Sequence, residues 1–150
     1  MRNKIAIAFT AAALATTLTA CSGAGNDAPT RMIHQVTDGV EANLKSDGNL
    51  IYLRNIQVAV NEAGDASLIG TIVNQKPTKD ALIALAIGQM QVKLSAIPTP
   101  QNQPVIFGGD SANAIATIPN SGLVAGNRTT VSFFFGQAGT VSVDALVVNA

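Results

Sequence analysis

The sequence predicts an all-β, antiparallel sandwich over residues 37–150, preceded by an export signal and a flexible tether. Three observations predict it. Turn signals recur every eight to twelve residues or so, the spacing of short strands in sandwiches and barrels. Apolar residues make up 47% of the sequence and charged residues only 12%, with small residues abundant and Trp absent. No heptad pattern, charge run or internal repeat argues for another architecture.

The elements follow in order. Asp38–Leu44 and Leu50–Val60 are apolar-rich runs separated by Asp47-Gly48, a strong hairpin dipeptide. Alternation in the second run is imperfect, which predicts a bulge or bend near Arg54-Asn55. Ala63-Gly64-Asp65 makes the next turn, and Ser67–Asn74 is a strand. Lys76-Pro77-Thr78 turns the chain again. Asp80–Ile87 is apolar throughout, and its short length between turn signals predicts a buried strand rather than a helix. Asp80 is expected to satisfy backbone donors at the turn after Pro77. Gln89–Ile97 alternates, with Met90, Val92, Leu94 and Ala96 on one face, so it is expected to be a strand with Met90 in the core.

Pro98–Pro104 reads as a loop. Val105–Phe107, Ala114–Ile118 and Leu123-Val124 are short segments between turns. Gly108-Gly109-Asp110 is a turn and no phosphate loop, because neither a helix pattern nor a Lys follows. Thr129–Phe135 and Thr140–Val148 form a terminal hairpin. On the first of these strands, Phe133 and Phe135 share one face and Phe134 takes the other. Phe134 is therefore a candidate partner contact. Thr30–Val36 is a linker or a short edge element.

The first twenty residues are a targeting segment. Arg2 and Lys4 precede an apolar stretch that is short and interrupted by Thr. It falls below the roughly twenty apolar residues of a spanning helix and has the form of a signal peptide. Leu18-Thr19-Ala20-Cys21 then resembles the bacterial lipobox. That resemblance implies lipidation of Cys21 with acyl chains, palmitate among them, and cleavage just before it. Two acyl chains give stable anchoring where one is marginal. Residues 21–36 become a lipidated N-terminus and tether, rich in Gly, Ser and Asn. Cys21 is the only cysteine, so neither an internal disulfide nor a Cys-based metal cluster is available.

Charge and composition exclude further classes. Nine Lys/Arg less Arg2 and Lys4 leaves seven against nine Asp/Glu, a mildly acidic body with no footprint for nucleic acid. The body is also expected to lack the basic patch that would bind anionic lipid by charge. With one His and one acylated Cys, nucleophilic triads lack their parts, and the carboxylates form no near-sequence pair. No catalytic residue and no cofactor is expected. Met32 and His34 form a Met-x-His pair, a weak soft-metal candidate at most, because a usable copper site needs three or more fixed ligands.

The body also carries a family resemblance. Ser67–Asn74, Asp80–Ile83, Gly122–Gly126, Thr130–Phe135 and Ala138–Val143 resemble strands of the periplasmic PCu(A)C copper chaperones. The lipobox, Asn49–Ile56, Val73-Asn74-Gln75 and the same tail resemble the actinobacterial LpqE-type lipoproteins. Together these motifs cover most of the body. The resemblance implies an Ig-like, cupredoxin-like sandwich. It also implies where copper ligands belong: a His near Leu94-Ser95-Ala96 and a His-x-Met element near Asn113–Thr117. Neither stretch holds His or Met. The expectation is therefore a membrane-anchored, non-catalytic accessory module on the extracytoplasmic face. Its implied partner is an envelope membrane complex, with a respiratory complex as the specific candidate. The alternative is copper handling of the PCu(A)C type.

Overall fold

The computed structural model describes residues 38–46 and 48–150. The signal segment, Cys21, Met32 and His34 lie outside these residues, as does Asp47. Ten strands follow in chain order: β1 (Val40–Ser46), β2 (Asn49–Val60), β3 (Ala66–Asn74), β4 (Asp80–Ile87), β5 (Met90–Gln91), β6 (Ile97–Thr99), β7 (Val105–Phe107), β8 (Thr117–Ile118), β9 (Arg128–Phe135) and β10 (Gly139–Asn149). The all-β sandwich class is correct, and Thr37–Ala150 forms one compact unit.

Hydrogen bonding runs β5-β4-β9-β10-β2-β3-β7, with β1 on β2, β6 on β4 and β8 on β3. The path curls on itself, so β4, β9 and β10 face β2 and β3 across one core. β10 is the hinge of the arrangement. Its first eight residues pair with β9, and Val147–Asn149 then pair with β2. The second pairing is parallel, which corrects the purely antiparallel expectation. Parallel neighbours need a long crossover, and the whole chain between β2 and β10 supplies it.

Alternation dictates the core. Ile51, Leu53, Ile72, Leu82, Leu85, Val131 and Phe133 are fully buried, and each strand sends alternate residues outward. On β2 the inward set switches from Ile51 and Leu53 to Ile56 and Val58. The switch is the expected bulge. Arg54 pairs with Thr71 and Gln57 with Ile69, so Asn55 and Ile56 together oppose the single residue Gly70. Asn55 takes a φ of 52°, a conformation that Asn tolerates better than most residues. Gly70 has a φ of 147°, and a Cβ there would stand 2.5 Å from Cδ1 of Ile56. Glycine is what lets the bulged strand close down.

The β4 prediction holds. The region after it is different. Only Met90–Gln91 and Ile97–Thr99 pair with β4, and the residues between them form no strand. The expected Gln89–Ile97 strand is thus broken in two, and part of the expected Pro98–Pro104 loop is strand β6. Pro98 fits there because β6 is an edge strand, where a missing N–H costs no ladder bond. Met90 is half-buried and packs against the core rather than inside it. Ala114–Ile118 contributes only Thr117–Ile118 as strand, and Leu123-Val124 forms none, with Val124 exposed.

Candidate functional site

Five features come from this frame: two polar clamps, an apolar surface strip, an open depression, and a segregation of charge.

The first clamp is Asp80, 8% exposed at the start of β4. Its Oδ1 accepts the N–H of Ala81 at 2.8 Å and of Gln137 at 2.9 Å, and its Oδ2 accepts that of Ala138 at 2.8 Å. Asp80 does satisfy backbone donors, but those of Ala81 at the start of β4 and of the β9–β10 turn rather than the turn after Pro77. The turn after Pro77 is held instead by buried Asn74. Its Nδ2 donates to the carbonyls of Thr78 and Thr99 and its Oδ1 accepts the Lys76 N–H, all at 2.9 Å.

The second clamp is Arg54. Nη1 donates to the Leu53 carbonyl at 2.7 Å, Asn43 Oδ1 at 2.8 Å and the Ala42 carbonyl at 3.2 Å. Glu41 lies 3.6 Å away and the Tyr52 ring centroid 4.4 Å. The guanidinium is occupied in joining β1 to β2.

The apolar strip runs across the outer face of β4 and β9. Phe133 and Phe135 point into the core, while Phe134 is 36% exposed. Phe134 pairs with Ala84 on one side and Thr140 on the other. Ile83, 53% exposed, sits at the irregularity between Leu82 and Ala84. Ala81 pairs with Pro98, which extends the strip to the edge. The strip therefore combines the predicted contact Phe134 with Ile83, which the sequence reading did not single out. A break in the alternation of β4 hid Ile83.

Pro98 also borders the open depression, of about 500 Å³, lined by Leu94, Ser95, Ala96, Asn113, Ala114 and Ile115 among others. The fold thus brings together the two segments that the resemblance assigns to a copper site. Their side chains do not fit the metal. Cu(I) wants thioether, thiolate or imidazole donors, and here stand aliphatic groups, a hydroxyl and an amide. That amide is already engaged: Asn113 Oδ1 accepts the Ile106 N–H at 2.8 Å and Nδ2 donates to the Pro104 carbonyl at 2.9 Å. Ile115 stands 82% exposed at the rim. Among the described residues, no three His, Cys, Asp or Glu side chains come together as a metal-binding group.

Charge is sorted by end. Lys45 and Lys76 line one depression of about 560 Å³ at the β1–β2 hairpin. Lys79 joins them on the β3–β4 turn, where its carbonyl accepts Gln137 Nε2 at 2.8 Å. All three lysines are exposed. Glu62 and Asp65 lie on the β2–β3 turn at the opposite end. Folding gathers Lys45 and Lys76 from two separate turns around one depression.

Neither a family model nor a curated protein sequence matches the chain. Solved structures do. The apo PCuAC domain from PmoF1 matches with a TM-score of 0.58 and 16% identity, over 73% of this chain and 100% of that one. The copper-bound PCuAC domain from PmoF2 matches with a TM-score of 0.55 and 17% identity, over 73% of this chain and 99% of that one. The fold is shared with PCuAC domains. At this identity the likeness concerns the backbone arrangement, and the side chains of the depression are this chain's own.

Proposed function

We propose that the chain is a membrane-anchored, non-catalytic accessory module that binds an envelope membrane protein through the outer face of β4 and β9. The observation that carries this reading is the exposure of both Phe134 and Ile83 on that face. Two large apolar side chains lie exposed beside Ala81 and Ala84, where a sandwich surface is ordinarily polar. Aromatic residues in such patches anchor protein interfaces. Lipidation at Cys21 would hold the domain at the extracytoplasmic face and raise its effective concentration toward membrane partners. A respiratory complex is the specific partner that the LpqE-type resemblance favours. Capture from detergent-solubilised membranes with the tagged protein tests this. A specific membrane protein, recovered above a Cys21→Ala control and lost with Phe134→Asp, is the expected result. Equal recovery with the control contradicts it.

Copper handling is the second reading, favoured by the fold shared with a copper-bound PCuAC domain. Its ligands would have to come from Met32, His34 and Met90, since the depression supplies none. Calorimetric titration with Cu(I) under reducing conditions decides it. Tight binding that disappears in His34→Ala would place this reading first.

A further inference from the structure

The lysine-bearing end of the sandwich goes beyond the partner reading. Lys45, Lys76 and Lys79 project from two turns at that end. Among the described residues, the ion pairs are Arg54–Glu41 and Arg128–Asp144, and neither uses these ammonium groups. Asp80 is the described carboxylate nearest in sequence, and it is buried and shared among three backbone N–H groups. Asp47, at the hairpin tip, belongs to the same end by sequence. The far end carries Glu62 and Asp65, with Asp38 preceding β1 on that side, and its cation Arg128 is paired there with Asp144. The domain therefore has a positive and a negative pole along its strands.

We propose that the lysine end rests on an anionic lipid bilayer. Charge complementarity selects the surface: each lysine near an anionic leaflet strengthens binding about five-fold. The chain outside the structure permits the pose. Sixteen residues separate Cys21 from Asp38, and a chain of that length reaches at most ~55 Å. The twelve residues of β2 span about 40 Å. A tether attached at Cys21 can therefore let either pole meet the membrane, and the lysine pole wins. In that pose the strands stand upright, and Phe134 and Ile83 face sideways just above the headgroups, toward a neighbouring membrane protein.

Lysine footprinting tests the pose. The chain from Cys21 onward is coupled through its single thiol to a maleimide lipid in vesicles. One set is phosphatidylcholine alone and the other is mixed with phosphatidylglycerol. Among the described residues, every member of the buried core lies after Cys21, so omitting the signal segment removes none of them. Acetylation of each lysine is followed by mass spectrometry. Lys45, Lys76 and Lys79 should be acetylated about five-fold more slowly on the anionic vesicles, with the difference erased by high salt. Lys93, between β5 and β6 and on neither of the two turns, should be unchanged. Lys76→Glu should return Lys45 and Lys79 toward the neutral-vesicle rate. Equal rates on both vesicles overturn the proposal. Protection that appears only in native membranes also overturns it, and assigns the lysines to an acidic protein. Because the tether is supplied chemically, failure here is distinct from failure of the partner reading.

Discussion

Single residues carry the stability of this sandwich in unequal ways. Gly70 is tightly constrained. Its φ of 147° and the 2.5 Å approach that a Cβ would make to Ile56 combine backbone strain with overpacking. Gly70→Ala should cost about 2–4 kcal/mol by urea denaturation. Gly126→Ala, at a φ of 90° with open space around it, should cost only about 1 kcal/mol. Asp80→Ala removes the acceptor of three backbone N–H groups and should cost about 3 kcal/mol, with Asp80→Asn milder because one oxygen remains. Thr99 gives the opposite sign. Its side chain is buried and its Oγ1 has no partner. Thr99→Val should be neutral or stabilising by up to about 1 kcal/mol, read as an equal or higher denaturation midpoint.

At the scale of elements, strands with strong turn chemistry and clean alternation were legible. The Asp47-Gly48 hairpin, β3, β4 and the terminal hairpin all follow from local sequence. The bulge was legible because one extra residue shifts the apolar set on β2 from Ile51 and Leu53 to Ile56 and Val58. Deleting Asn55 removes the extra residue, so regular alternation from Leu53 keeps Ile56 and Val58 inward and unfolding should stay cooperative. A single sigmoidal thermal transition by circular dichroism would show it. Gln89–Ile97 was misread because alternation describes a surface, while a strand also needs a partner for its backbone. The edge of β4 supplies that partner only at its two ends, to β5 and β6. The parallel β2–β10 pairing left no local trace, since it joins residues about ninety positions apart.

For the molecule as a whole, surface organisation was least legible. Phe134 could be placed on an outer face by counting along its strand. Its neighbour Ile83 could not, because the irregularity in β4 turns it outward. The lysine pole draws on turns thirty residues apart, and only folding brings them together. The copper expectation was legible from both directions. The resemblance says where ligands belong, and the fold places those positions around one depression without them. Calorimetry with Cu(I) on the unsubstituted chain should therefore give no tight binding. The accessory reading depends most on the β4–β9 face. Its most direct measurement is capture from solubilised membranes with the lipidated protein and with Ile83→Asp and Phe134→Asp, each checked for an unchanged denaturation midpoint. A specific membrane protein held by the parent and lost by both variants is the result predicted. Retention of that protein by both folded variants would contradict it.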